Sequence, residues 1–89
     1  MITLESCPKR GEQVLAQKAA NDFLLLNMED GNYYSLNEIG SRIWELCDGK
    51  RTVSQVIATL ATEYEAPYAT LENDVIELLT DFHKGKLVV

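Results

Sequence analysis

The side chains in this sequence of types that could do nucleophilic or acid–base chemistry include one histidine, His83, and two cysteines, Cys7 and Cys47. The spacing of the cysteines fits neither a zinc site nor a disulfide framework. Cys47 lies within a helical pattern, which is typical of a small buried hydrophobic side chain. Cys7 lies in an N-terminal segment that we expect to be mobile, so we interpret it as a free thiol.

The remaining titratable residues do not form a catalytic pattern. His83 lies in the last turn of a predicted helix, where a protonated imidazole interacts favourably with the helix dipole. The 14 Asp and Glu residues are spread over helix faces, and no pair is marked for shifted pKa values. The sequence contains no Gly-rich phosphate loop, no Ser/His/Asp arrangement and no cluster of metal ligands. We therefore predict no catalytic activity, no cofactor and no metal.

Size and charge restrict the other classes of function. The 89 residues make one small domain, residues 1–89, with room for one modest core. Acidic residues outnumber basic residues 14 to 8, and the net charge of −6 opposes phosphate binding, which needs clustered cations. No apolar run is long enough for a membrane span, and the first residues lack the features of a signal peptide. We expect a cytoplasmic protein that binds neither nucleic acid nor membranes.

The first third of the chain predicts three strands. Residues 12–19 alternate loosely with a period of two, and residues 22–28 are apolar almost throughout, as in a central strand. The pair Asp30-Gly31 is a hairpin signal, and the third strand follows it at residues 32–36. The pattern therefore predicts a meander with the second strand in the middle.

The remainder of the chain predicts three helices, each preceded by a residue that favours the N-cap position. The predicted helices are residues 38–48 after Asn37, residues 53–64 after Thr52 and residues 71–84 after Thr70. Gly85 ends the last helix, and the tail after it is either a short strand or a packed end. We predict an α+β fold in which a three-stranded antiparallel sheet is followed by three helices.

The third predicted strand has an edge that nothing in the sequence protects. Between Asn32 and Leu36 there is no Pro, no Lys and no charged residue to discourage another strand from pairing. Its side chains alternate, so Tyr33 and Tyr34 lie on opposite faces and one of them remains near the surface. A surface tyrosine is favoured in binding sites, although the high β propensity of tyrosine also explains both.

The third predicted helix has an apolar stripe somewhat wider than a core needs. The stripe spans about 100° and comprises Leu71, Val75, Leu78, Leu79 and Phe82. Ile76 falls roughly 60° beyond Leu79, which favours a helix that also lines a groove, although single exposed apolar residues are common. Trp44, on the first helix, is predicted to lie in the core because large aromatic side chains are mostly buried.

Longer stretches of the sequence resemble a known family. The runs YYSLNEIGSRIWELCDGKRTVSQVIATLATEY and LENDVIELLTDFHKGKLV resemble the PqqD-like family, also called RiPP precursor peptide recognition elements. The resemblance extends from about residue 8 to residue 88. Its most specific pieces are Leu36-Asn37-Glu38, Ile43-Trp44, Asp48-Gly49 with Thr52-Val53, and Asp74-Val75. The segment GNYYSLNE is more similar to the broad group, which includes leader-binding proteins of lasso-peptide pathways, than to the dedicated pyrroloquinoline quinone protein.

The resemblance implies a winged-helix-like fold and the role of a non-catalytic adaptor. Family members bind the leader of a ribosomally made precursor peptide as an added strand beside the third strand, in a groove that the third helix closes. The enzyme that receives the peptide would be a leader peptidase with a cyclase, or a radical S-adenosylmethionine enzyme. The implied peptide-binding residues are Asn32, Tyr33, Tyr34, Ser35, Leu71, Asp74, Val75, Leu78 and Leu79. If the Leu79 flank of the helix faces the peptide, Ile76 joins this set and Asp74 leaves it.

Two other classes of function remain open at this point. The first two helices, joined by DGKR, are similar to a helix-turn-helix, so a winged-helix DNA-binding regulator is one alternative. The second helix carries no Lys or Arg with which to meet phosphate, and Lys50 and Arg51 alone do not compensate. The other alternative is a structural subunit that exchanges strands with a second copy through the same unprotected edge.

Overall fold

The computed structural model describes residues 2–20 and 22–89 and shows three antiparallel strands followed by three helices, as predicted. Met1 and Asn21, which the predicted domain 1–89 includes, lie outside the described residues. The elements are β1 (Val14–Ala19), β2 (Asp22–Asn27), β3 (Tyr33–Leu36), α1 (Glu38–Leu46), α2 (Val53–Glu63) and α3 (Tyr68–Lys84). The open sheet has the order β1-β2-β3, so β3 forms one of its edges.

A tight turn joins β2 to β3 at the predicted Asp30-Gly31 pair. Gly31 has a φ of +77°, a conformation that residues with a side chain rarely adopt. Its N–H donates to the carbonyl of Asn27 over 2.7 Å, and Asp30 Oδ1 accepts from the N–H of Asn32 over 2.9 Å. These bonds determine where β3 begins and therefore which of its side chains face the core.

The core lies between the inner face of the sheet and the three helices. It comprises Leu25, Leu36, Ile43, Trp44, Leu46, Cys47, Val53, Val56, Ile57, Leu60, Leu71, Val75, Leu79, Phe82, Leu87 and Val88. The Trp44 ring meets that of Phe82 edge to face, with 5.8 Å between ring centroids. The predicted burial of Trp44 and Cys47 is confirmed.

Polar side chains form the corner between β3 and α1. Asn37 caps α1 as predicted, because its Oδ1 accepts from the N–H of Gly40 over 2.9 Å. The Ser41 hydroxyl accepts from the N–H of Phe23 over 2.9 Å and donates to the carbonyl of Leu36 over 3.3 Å. The first turn of α1 is therefore attached to the ends of both β2 and β3.

Two helix boundaries differ from the prediction by two residues or more. The third helix begins at Tyr68, not after Thr70, and its N-cap is Pro67, which makes no side-chain capping bond. Proline suits this position because its fixed φ is compatible with a helix start and its missing N–H would have no partner there. The first helix ends at Leu46, two residues earlier than predicted, and Gly49 adopts its positive φ in the connection that follows.

The N-terminal segment is paired with the rest of the chain, so the expectation that it is mobile was wrong. The carbonyl of Ser6 accepts from the N–H of Val53 over 2.9 Å, which satisfies one of the free donors at the start of α2. Lys9 exchanges backbone hydrogen bonds of 3.1 and 2.8 Å with Val89. The C-terminal tail is therefore packed and paired with the N-terminal segment.

Candidate functional site

The outer edge of β3 carries backbone groups that have no strand beside them among the described residues. The N–H of Asn27 donates to the carbonyl of Asn32 over 3.0 Å, and Leu25 lies opposite Tyr34. Because bonding direction alternates along an antiparallel strand, Tyr33 and Ser35 direct their N–H and C=O groups to the free edge. This edge can accept another strand.

A cleft of about 390 Å³ lies beside that edge, between the end of β3, α1 and α3. Its volume is within the range of ligand pockets. Leu71 and Val75 form its buried floor, whereas Leu78 and Ile39 are half-buried and present the accessible apolar surface. The complete lining is Ser35, Leu36, Asn37, Ile39, Gly40, Ile43, Leu71, Asp74, Val75 and Leu78.

Spacing along α3 explains why it forms one wall of the cleft. Leu71, Asp74, Val75 and Leu78 follow the i, i+3, i+4, i+7 pattern, so they lie on one face of the helix. Ile76 is half-buried and does not line the cleft. The flank that carries Asp74 and Leu78 is therefore the one beside β3, a question that the sequence left open.

Gly40 keeps the cleft open on the side of α1. A Cβ at this position would lie 3.2 Å from Asn37 Oδ1 and 3.5 Å from Leu78 Cδ2. Ile39, Gly40 and Ile43 are absent from the predicted site, because helical spacing alone cannot separate core residues from cleft residues. The available signal was the glycine itself, since glycine inside a helix is unfavourable.

Asp74 is the one charged residue among those that line the cleft. It is exposed, and the lining residues include no Lys or Arg. Asn37, also at the rim, already uses its Oδ1 to cap α1. A carboxylate beside apolar walls favours a ligand that combines an apolar side chain with a nearby positive charge.

Four of the predicted site residues lie outside the cleft. Tyr33 is 68% exposed and points away from the helices, and Asn32 is exposed where β3 begins. Tyr34 is half-buried, and its hydroxyl lies close to Gly85 at the end of α3. A Cβ added to Gly85 would lie only 2.8 Å from that hydroxyl. Leu79 is fully buried in the core, so it presents no surface to a ligand.

Groups with shifted pKa values lie away from the cleft. The Arg42 guanidinium, 2.8 Å from Glu63, lowers the pKa of that carboxyl, and burial raises the pKa of Cys47 to about 12. His83 is exposed in the last turn of α3.

Within residues 2–20 and 22–89, no three metal-ligating side chains lie close enough to hold an ion. No helix in the described part of the chain combines the length and apolar character of a membrane span.

Comparison with known proteins places the chain among peptide-binding relatives. The family model described as coenzyme PQQ synthesis protein D (PqqD) matches residues 22–88. A protein of Xanthomonas campestris pv. campestris (strain B100), named PqqA binding protein, is 32% identical over 89 residues, which cover 98% of this chain and 95% of that protein. A PqqA binding protein of Rhodopseudomonas palustris (strain BisB5) is 44% identical over 45 residues, which cover 51% of this chain and 44% of that protein.

Two solved structures share the fold. One is TbiB1 in complex with the TbiA(beta) leader peptide, with a TM-score of 0.82, 25% identity, and coverage of 90% of this chain and 93% of that chain. The other is lasso peptide synthetase B1 complexed with the leader peptide, with a TM-score of 0.80 and 22% identity over 94% of this chain and 99% of that chain. The arrangement of three strands and three helices is therefore shared along nearly the whole length of both.

Proposed function

The chain belongs to the PqqD family, and from this membership we propose that it captures the leader of a ribosomally synthesised precursor peptide and presents it to a maturation enzyme. It does not itself catalyse a reaction. The observation that carries the proposal is the apolar cleft beside the free edge of β3. The names of the relatives support it, since they are called PqqA binding proteins.

The leader binds by strand addition. Its backbone bonds to the N–H and C=O groups of Tyr33 and Ser35, which attract any extended peptide regardless of sequence. Successive leader side chains then alternate between the cleft and the outer face of the sheet. The side chains directed inward contact Leu78 and Ile39, and these contacts choose among leaders.

Asp74 adds a preference based on charge. Its carboxylate lies at the rim of the cleft, where a Lys or Arg of the leader approaches it while keeping contact with water. Rim charges act mainly on the rate of encounter and on the choice of partner. The net charge of −6 acts in the same direction, because it repels acidic peptides at long range.

The receiving enzyme belongs to one of two classes. Relatives named PqqA binding protein support a radical S-adenosylmethionine enzyme, and the fold shared with lasso peptide synthetase B1 supports a leader peptidase with a cyclase. Both would act in the cytoplasm, where ribosomal precursors are made. Co-purification of this protein with each enzyme encoded beside its gene distinguishes the two classes.

A DNA-binding regulator is less compatible with the surface of α2. Among the described residues of this helix, Val53–Glu63, there is no Lys or Arg. Arg51, just before the helix, is paired with Asp48 over 2.7 Å. This pairing leaves little positive charge to contact a phosphate backbone.

Titration of fluorescently labelled leader peptides, encoded beside the gene, tests the proposal by fluorescence polarisation. We expect micromolar or tighter binding, and an affinity loss of at least about tenfold in the Leu78→Arg variant, because the charge replaces the accessible apolar wall. Ile76→Arg is the matched control, since Ile76 is also half-buried on α3 and does not line the cleft.

The folded state of both variants is checked by circular dichroism before the titration. If no encoded leader binds, the proposed function is wrong. If Leu78→Arg and Ile76→Arg weaken binding equally, the leader binds elsewhere than in this cleft.

A further inference from the structure

The sheet has an outer face that neither the helices nor the cleft covers. The strand register and alternation place Leu15, Leu24, Leu26 and Tyr33 on this face, and Met28 follows in the same alternation. Leu15 is 55% exposed, Leu24 42%, Met28 60% and Tyr33 68%. Most large exposed apolar side chains of the described residues therefore share one surface, which marks an interaction site rather than scattered exposure.

These side chains form a continuous row across the three strands. Leu15 lies directly opposite Leu26, and Leu26 lies directly opposite Tyr33. Directly opposite residues have Cβ atoms about 5 Å apart, so neighbouring side chains in the row contact one another. The row ends at Tyr33, which is at the free edge of β3.

Three acidic residues lie on or beside this face. Asp22 is exposed at an outward position of β2, and Glu29 and Asp30 are exposed in the turn that follows that strand. Among the described outward positions of the three strands there is no Lys or Arg. Two copies packed face to face would bring these carboxylates together, with a net charge of −6 on each chain. Self-association through this face is therefore disfavoured, whereas a partner with basic residues around an apolar centre is complementary.

We propose that the outer face of the sheet is the docking surface for the maturation enzyme, which contacts it through an apolar patch bordered by Lys or Arg. The proposal rests on the proposed function in its choice of partner, and it assigns a different surface from the leader site. The leader then occupies the free edge of β3 and the cleft, whereas the enzyme occupies the outer face of the sheet. Since the row from Leu15 to Tyr33 ends at the edge where the leader is added, a bound leader extends the docking surface by one strand.

The test measures binding of the purified maturation enzymes, encoded beside the gene, to the immobilised full-length protein. We expect the Leu15→Lys and Leu24→Lys variants to lose at least about tenfold in affinity for the enzyme, because each places an ammonium group in the apolar row and repels the basic border. The Leu15→Lys variant also keeps leader affinity within about twofold, since Leu15 lies two strands away from the β3 edge. Tyr68→Lys is the matched control, because Tyr68 is 49% exposed and lies at the start of α3.

Each outcome of this test has a defined meaning. Loss of enzyme binding in both sheet variants, with normal binding in Tyr68→Lys, supports the docking surface. Unchanged enzyme binding in Leu15→Lys and Leu24→Lys overturns it, as does failure of the unmodified protein to bind any of the enzymes while it binds the leader. A dimer that sedimentation detects in the unmodified protein and that Leu15→Lys abolishes also overturns it, since the occupant would then be a second copy. Failure of leader binding alone contradicts the proposed function and leaves the docking measurement interpretable.

Discussion

The two thiols of this protein differ in reactivity because one is buried and the other is exposed. Cys47 is fully buried, its thiol donates to the carbonyl of Ile43 over 3.2 Å, and burial raises its pKa to about 12. Cys7 is exposed. Because the thiolate is the reactive form, access and pKa both protect Cys47 in the folded state.

We therefore expect a thiol reagent at mildly alkaline pH to label one cysteine per native chain quickly. The second thiol reacts only after unfolding in concentrated guanidinium chloride. Mass spectrometry of the labelled peptides identifies which cysteine reacted, and Cys7→Ser removes the fast phase. Fast labelling of Cys47 in the native protein would mean that the core around α1 opens readily.

Residue type was a sufficient guide for the core but not for the cleft. Trp44 and Cys47 were predicted to be buried because large aromatic and thiol side chains usually are. Ile39 and Ile43 have the same helical spacing as core residues, and only their position opposite Leu78 of α3 makes them part of the cleft. That position depends on contact between segments more than thirty residues apart in the chain, which periodicity does not report.

At the scale of elements, β3 has one side paired with β2 and one side free. The register shows that the N–H of Tyr34 points to β2, whereas the N–H groups of Tyr33 and Ser35 point outward. A proline at Tyr34 would therefore damage the sheet itself. A proline at Ser35 removes only an outward donor, as is tolerated in edge strands.

We expect Ser35→Pro to remain folded and to lose at least about tenfold in leader affinity, because a hydrogen bond of the added strand is lost and the ring obstructs its approach. Fluorescence polarisation measures the affinity, and circular dichroism verifies the fold. Ala16→Pro is the matched control, because the N–H of Ala16 points to the opposite edge of the sheet. Equal leader affinity in the two variants would mean that the leader does not pair with β3.

The order of elements could be predicted from local signals, and the start of α3 was wrong because two signals competed there. Asp30-Gly31, Asn37 and Thr52 each marked a boundary correctly, since a turn or a cap is decided by a few adjacent residues. For α3, the sequence favours Thr70 as the N-cap, whereas the N-cap is Pro67, whose fixed φ suits a helix start. The flank of α3 that faces β3 is set by tertiary packing and was left open for that reason.

At the scale of the whole molecule, the cleft depends on packing between distant parts of the chain. The β3–α1 corner forms one wall and α3 the other, and the residues after α3 are paired with the N-terminal segment. A domain of 89 residues has a free energy of unfolding of about 5–13 kcal/mol. A ligand that joins both walls therefore adds a large fraction to the stability of the entire fold.

We expect the leader to raise the melting temperature of the protein substantially. At a leader concentration of ~100 times Kd, linkage adds ~2.7 kcal/mol to the free energy of unfolding. In domains of this size ~1 kcal/mol corresponds to roughly 4–8 °C, so the midpoint rises by roughly 10–20 °C. Calorimetry with increasing leader concentration measures the shift, and Ser35→Pro at the same concentrations shows how much of it requires the free edge of β3. A midpoint that stays constant while polarisation reports saturation would mean that the leader binds the unfolded chain as well as the folded one, which contradicts a site assembled from β3, α1 and α3.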